Sequence, residues 1–255
     1  MKKKNLVIGD TSQLAYYFPD HFIKISSRDI PELIFDQEWE TVFICFAEQR
    51  TYLIDADCFN KINFDYTINV IKKIKAFKIV YFSTAELWNN CNGEIDAKMA
   101  FNYHVSGYVR SKQLITEYLR SLNDNIIIIF PFNFNSIYRK PPFLFGKVID
   151  SIINKKVIDI GDTYYYRDLL HPSDLVFYSL EANIDSVVGG GELIFINDFI
   201  RDLYSAFDMS YENFVNENIS EKSIYRKNLF YSKHIYPSTK LNLLNKFVNE
   251  IKSKI

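Results

Sequence analysis

The sequence predicts an α/β architecture in which a doubly wound parallel sheet carries helices on both faces. Short apolar runs recur through the first half: NLVI at residues 5–8, TVFICF at 41–46, KIVYF at 78–82 and NIIIIF at 125–130. Stretches with apolar residues at helical spacing follow two of them or lie between, at residues 60–76 and 108–122. The last run is apolar throughout, as strands covered on both faces are. Strands alternating with helices call for a parallel sheet, because each return crossover takes a helix.

Taken in order, NLVI ends at Gly9, and a short helix is expected over residues 13–18, then a strand over 22–25. The runs at 41–46 and 78–82 follow, with the 60–76 helix between them. The 108–122 helix then leads into the 125–130 strand. After Pro131 the rhythm changes. Pro141-Pro142 breaks the chain, a helix is expected over 145–153, and Gly161-Asp162 makes a turn. A helix over 174–183, a strand over 192–196 and a closing helix over 242–252 complete the pattern. Neither an internal repeat nor a low-complexity linker interrupts it. The expected organisation is one compact body: a nucleotide-binding region over residues 1–130, and a smaller substrate lobe over 131–255 with some segments returning to the first.

Composition narrows the function classes. The 255 residues are 48% hydrophobic and 24% charged with a net charge of −1, which suits a globular protein and gives no drive toward nucleic acid. Cys45, Cys58 and Cys91 form no CxxC pair, so neither a disulfide framework nor a metal site is expected. The start of the chain lacks a leader's long apolar core, and no run approaches membrane-spanning length. A cytoplasmic, reducing setting is expected. The run Lys2-Lys3-Lys4 reads as a solvated chain end.

Two turns bear on ligand binding. The first strand runs into GDTSQLA, residues 9–15. A dinucleotide site wants glycine where the chain turns sharply and where amides approach a pyrophosphate. Gly9 is in place, while Ser12 and Ala15 stand where two more glycines would be; both are small. The second strand closes with Ser26, Ser27 and Arg28, followed by Asp29. A cation there suits a ribose 2′-phosphate, an acid a free 2′-hydroxyl. Arg28 tilts the reading toward NADP (NADPH), with NAD as the alternative.

The segment GYVRSK places Tyr108 and Lys112 four residues apart, on one face if the segment is helical. A phenol has a pKa near ~10, and an ammonium one turn away stabilises the phenolate and lowers it. Such a pair can pass a proton to an alkoxide formed when a carbonyl takes up hydride.

With the ordered segments VIGDTSQLA, TVFICFAEQRT, VYFSTAELW, GYVRSK, IFPFNFNSIY and YYYRDLLHPSDL, the chain resembles the extended short-chain dehydrogenase/reductase family. That family holds nucleotide-sugar epimerases, dehydratases and ketoreductases, and the match spans about residues 6–174. The resemblance implies a Rossmann-type fold with Thr84, Tyr108 and Lys112 as the catalytic group and Glu86 as a further candidate. It implies cofactor contacts from Gly9, Thr11, Ser12, Gln13, Leu14, Arg28, Ala47, Tyr108, Lys112 and Pro131. Substrate contacts would come from Thr84, Asn133 and Arg167, whose fork geometry suits a nucleotide diphosphate. His171 matches a family histidine that reads as structural. It also implies a homodimer through the 60–76 and 108–122 helices, covering Ile68, Ile71, Leu114 and Leu119.

The chain departs from the family in the first turn, and also at Phe130 and Ser136, where arginine and glycine are common. Ala85 stands where dehydratases carry an acid or hydroxyl, so Glu86 supplies at most one of the base and proton donor that an elimination needs, which disfavours dehydration. The expected activity is NAD(P)-dependent reduction of a keto group on a nucleotide-linked sugar, in bacterial surface-glycan or deoxysugar assembly. An epimerase or dehydratase with the same triad is the alternative enzyme. A cofactor-binding regulator without turnover is the alternative of another class: the eroded glycine turn favours it, and the intact Thr84, Tyr108 and Lys112 oppose it.

Overall fold

The computed structural model describes residues 4–50, 56–104, 107–122, 125–218, 229–232 and 239–255, so most of the Lys2-Lys3-Lys4 run lies outside the described residues. Strands are β1 (Asn5–Ile8), β2 (Ile23–Ile25), β3 (Glu38–Ile44), β4 (Lys75–Phe82), β5 (Gly93–Ile95), β6 (Ile126–Pro131) and β7 (Asn133–Phe134), then β8 (Ile158–Gly161), β9 (Tyr166–Leu170), β10 (Ser186–Val188), β11 (Leu193–Phe195), β12 (Val215–Asn218) and β13 (Phe230–Ser232). Helices are α1 (Ala56–Phe59), α2 (Thr67–Lys73), α3 (Gly107–Ser121), α4 (Leu144–Asn154), α5 (Pro172–Glu181), α6 (Ile196–Ser205), α7 (Tyr211–Phe214) and α8 (Lys240–Lys252). The chain forms two compact units, one of residues 1–88, 97–131 and 176–187, the other of 89–96, 132–175 and 188–255.

The first unit is built on a six-stranded sheet ordered β10-β6-β4-β3-β1-β2. The pairs β1/β2, β1/β3, β3/β4 and β4/β6 are all parallel. Leu6, Val7, Ile8, Val42, Val80 and Ile129 are fully buried, so both faces of the central strands are covered, as their unbroken apolar runs demand. Burying each such side chain contributes about 1.5–3 kcal/mol. Strand order reverses between β1 and β3, and ligands of open α/β sheets bind at the carboxyl ends of strands at such a switch. Gly9 follows β1 there and Cys45 follows β3.

Two of the helices expected in the first unit differ from expectation. In place of a helix over 13–18, the chain makes successive turns: Ser12 N–H donates to Gly9, Ala15 to Ser12 and Tyr17 to Leu14, each three residues back. So few residues before Pro19 cannot repay helix nucleation, and burial of Leu14, Ala15 and Phe18 holds the segment instead. The 60–76 helix starts earlier, at Ala56, passes through a π-helical stretch at Asn60–Tyr66 and ends at Lys73. Lys75 and Ala76 are captured by β4, pairing with Glu38 and Trp39.

The homodimer reading changes in detail. Ile68, Ile71 and Leu119 are already buried by the chain's own packing; of the four positions, only Leu114 remains half-exposed for a partner to cover. No helix among the described residues is long and apolar enough to cross a membrane.

The second unit holds a three-stranded sheet ordered β11-β9-β7 and the parallel pairs β12/β8 and β13/β5. Residues 89–96 belong here because β5 pairs with β13. Helices α4, α6 and α8 close a core that includes Phe145, Val148, Phe199, Leu203, Phe247 and Ile251. The strand expected over 192–196 ends at Phe195, and Ile196 opens α6. Asp168 is fully buried and ties three segments together. Its carboxylate accepts from the N–H of Gly190 (2.6 Å), Gly191 (3.1 Å) and Ser232 (2.9 Å), and from the Ser232 hydroxyl (3.1 Å). Burial outweighs these bonds and pushes the carboxyl up to about 6.

Candidate active site

In the first unit, β4 ends at Phe82 and hands the chain to Ser83 and Thr84, after which Ala85–Trp88 form a tight turn. Thr84 is buried, and its Oγ1 accepts the N–H of Glu86 at 3.2 Å, which leaves the O–H to donate. Glu86 is half-buried beside it. Helix α3 begins at Gly107, whose φ of +73° favours glycine, and presents Tyr108 and Lys112 one turn apart.

Lys112 is almost wholly buried, at 2% exposure. Its ammonium donates to the Tyr81 hydroxyl at 2.9 Å and the Phe82 carbonyl at 2.8 Å. Burial pulls Lys112 down to about 7. The Tyr81 phenol moves the other way, pushed well up by burial first and by the charge of Tyr108 second. Tyr108 is half-buried and meets Phe59 edge-on, at 6.4 Å between ring centres.

A polar lattice holds α3 against β4 and the neighbouring loop. Ser83 and Thr116 share a hydrogen bond at 2.7 Å. Ser111 donates to the carbonyl of Tyr108 at 2.7 Å and accepts from Asn63 at 3.0 Å. Asn63 also accepts from the Glu48 N–H (2.7 Å) and donates to the Glu48 carbonyl (3.1 Å). One amide in the π-helical stretch thus fixes both the helix of Tyr108 and the loop that follows Ala47. The Glu48 carboxylate takes three bonds from Arg50, which hold it below the ordinary carboxylate range despite burial.

The sequence reading missed Tyr81, Asn63 and Ser111. Asn63 and Thr67 are polar residues four apart on a buried helix face, a spacing that could have flagged Asn63. Tyr81 sits inside an apolar run and gave no signal of its own.

The expected cofactor residues divide by environment. Gly9 adopts φ +111°, and a Cβ there would come within 3.0 Å of the Cys45 and Phe46 backbone, so only glycine lets β1 and β3 lie this close at the switch. Thr11 is exposed and Ser12 half-buried, whereas Gln13 and Leu14 are buried. The N–H groups of Gly9 and Asp10 both donate to Ile25, and that of Leu14 to Ser12 Oγ at 3.3 Å. Ala47 is half-buried beyond β3, and Pro131 is the buried last residue of β6. Arg28 is exposed, its N–H on Ser26 Oγ at 3.2 Å, in a loop that Tyr66 holds through the Ser27 carbonyl. The bare Gly9, the exposed Thr11 and Arg28, and the third N–H of Lys112 fit a nicotinamide dinucleotide. Among the described residues no cluster of metal-ligating side chains occurs.

In the second unit, Asn133 on β7 and Arg167 on β9 lie on paired strands, Asn133 opposite Leu169. Both are half-buried. The Arg167 guanidinium lies over Tyr165 and donates to the Tyr166 carbonyl at 2.8 Å. His171 is buried with its imidazole 3.2 Å from the Glu250 carboxylate, a place inside the unit's packing.

Residues 9–183 match the family described as the NAD dependent epimerase/dehydratase family. The chain belongs to this family. Membership fits the extended short-chain dehydrogenase/reductase resemblance and the Rossmann-type sheet. No curated protein sequence matches the chain. Solved structures share its fold at low identity. A UDP-N-acetylglucosamine 4-epimerase of Methanobrevibacter ruminantium, in complex with UDP-N-acetylmuramic acid, superposes with a TM-score of 0.80 at 14% identity, covering 99% of each chain. RMD of Pseudomonas aeruginosa, complexed with NADPH, gives 0.75 at 14% identity, covering 98% of this chain and 100% of that one. A UDP-glucuronic acid 4-epimerase of Bacillus cereus, with UDP-glucuronic acid and NAD, gives 0.75 at 16% identity over 99% and 100%.

Proposed function

We propose that this member of the epimerase/dehydratase family reduces a keto group on a nucleotide-diphosphate sugar with NADPH or NADH, in surface-glycan or deoxysugar assembly. The observation that carries the reading is the buried Lys112 ammonium, held by Tyr81 and Phe82 one helical turn from Tyr108 and beside the strand end bearing Thr84. A nicotinamide dinucleotide held there would supply hydride for the carbonyl carbon. Thr84 donates its O–H to the carbonyl oxygen, and Tyr108 delivers the proton as that oxygen becomes an alkoxide. Lys112 offsets the phenolate charge left on Tyr108 and offers its third N–H to the cofactor ribose. Asn133 and Arg167 are assigned to the sugar and the diphosphate, and the α1–α2 and α3 helices to a homodimer contact.

Two features favour reduction over the family's other chemistries. Ala85 is buried and carries no proton donor, so Glu86 would stand alone in an elimination. The first turn has its Gly9, Asp10, Ser12, Leu14 and Ala15 amides committed inside the chain. Few remain for a pyrophosphate, which suits a cofactor that exchanges at every turnover. An epimerase returns the hydride and retains its NAD; the shared triad keeps that second reading in view. The test is to follow reduced-nicotinamide absorbance with a panel of nucleotide-linked 4-keto sugars, alongside Glu86→Gln. Net consumption that survives Glu86→Gln supports the reductase. Copurified NAD with C4 interconversion and no net consumption replaces it with the epimerase.

A further inference from the structure

We propose that Tyr81 is a positioning residue for Lys112: its buried phenol accepts one of the three ammonium N–H groups and stabilises the lysine's charged form against burial. The kinetic part of this inference rests on the reductase reading; the titration part rests on the geometry alone. Tyr81 sits in the middle of the first unit's sheet, paired with Ile44 of β3 and Ile128 of β6. Its immediate strand neighbours Val80 and Phe82 are apolar too, and Tyr81 itself is only 1% exposed. Phenylalanine would fill this place without the cost of burying a hydroxyl. The hydroxyl therefore needs a partner, and the structure gives it the Lys112 ammonium at 2.9 Å.

A buried ammonium stays charged only where acceptors replace the water it has lost. Lys112 has two, the Tyr81 hydroxyl and the Phe82 carbonyl. The carbonyl comes with any residue at that strand position; the hydroxyl is specific to this side chain. The titratable group bonded to the ammonium is Tyr81 of β4, and the charge of Tyr108 on α3 reaches Tyr81. Tyr81 resists ionisation, because burial and the charge of Tyr108 both hold its proton on, so it serves as a neutral acceptor over the working pH range. Two bonds in fixed directions also set where the third N–H points, and that one is left for the phenol of Tyr108 or a ribose.

The test is Tyr81→Phe in the full chain, read in two ways. In the first, lysine labelled at the ε-carbon is titrated by NMR, with the Lys112 signal assigned from its loss in Lys112→Met. Removing one acceptor should lower the Lys112 pKa by about one unit relative to wild type. In the second, the alkaline limb of kcat/KM for NADPH-dependent reduction should move to lower pH by the same amount. A purely structural role for Tyr81 would lower stability and leave that limb in place. Incorporating 3-fluorotyrosine at position 81, a weaker acceptor of nearly the same size, should give an intermediate shift and covers the case in which the phenylalanine variant folds poorly. An unchanged Lys112 titration in either protein overturns the inference. Absence of NADPH binding and turnover in the wild type would instead remove the reductase reading, and the titration would still decide the role of Tyr81.

Discussion

Replacing Lys112 by methionine should make stability less dependent on pH while abolishing activity. The side chain is 2% exposed and burial brings its pKa from 10.5 to about 7. At pH below both values, carrying that cation inside the fold costs about 3–5 kcal/mol. Methionine removes the cost and fills similar volume. It also leaves the Tyr81 hydroxyl and the Phe82 carbonyl without their donor, at about 1–3 kcal/mol each. The two effects nearly offset, so the sharper expectation is the pH dependence. The folded lysine loses its proton near pH 7, the unfolded one only above pH 10, so between these values the unfolded state binds more protons and wild-type stability rises with pH. Between about pH 7 and pH 9 the wild type should gain about 2–3 kcal/mol relative to Lys112→Met. Other titrating groups cancel in that difference. Urea unfolding of both proteins at each pH measures it. A difference that stays constant across the range would show that Lys112 is not a desolvated ammonium, and the electrostatic account of the site would fall with it.

Tyr108→Phe removes only the phenolic oxygen of a half-buried side chain, so folding and cofactor affinity should persist while turnover drops by roughly 10²–10⁴-fold; near-normal steady-state turnover would refute the assignment. Arg28→Ala should weaken NADPH binding and leave NADH binding unchanged, because only the 2′-phosphate calls on the guanidinium. Isothermal titration with both nucleotides checks this, and equal affinity for both, unchanged by the substitution, would make Arg28 a bystander. In the second unit, a Cβ added by Gly189→Ala would come within 2.5 Å of the Asp168 carboxylate that ties three segments together. The variant should lose about 2–4 kcal/mol, and an unchanged thermal melt would show that the Asp168 cluster yields without cost.

Much of the first unit was legible along the chain. Four mostly apolar runs became β1, β3, β4 and β6, because strand centres buried on both faces leave few polar residues in the pattern to obscure them. That Thr84 follows a strand end and that Tyr108 and Lys112 lie one helical turn apart, as the family resemblance implied, was legible because these are short-range relations that spacing preserves. The helix α6 was open to reading, since Ile196, Phe199, Ile200, Leu203 and Tyr204 are buried at helical spacing, yet only the strand before it was expected, carried one residue too far. The folding of 176–187 into the first unit, with β10 at the sheet's edge, depends on pairing between strands far apart in sequence, which no local pattern records.

The residue types and their spacing therefore determined the parallel sheet, the candidate chemistry and the bare glycine at the first strand's end. Tertiary structure alone decided what surrounds them. Tyr81 and Lys112 are 31 residues apart, and so are invisible to any window along the chain, yet the fold puts their polar ends 2.9 Å from each other. Asn63 and Ser111, 48 residues apart, meet for the same reason. The charge state of a buried lysine depends on the acceptors and the water that three-dimensional packing leaves it, and those are set only when β4 and α3 close against one another.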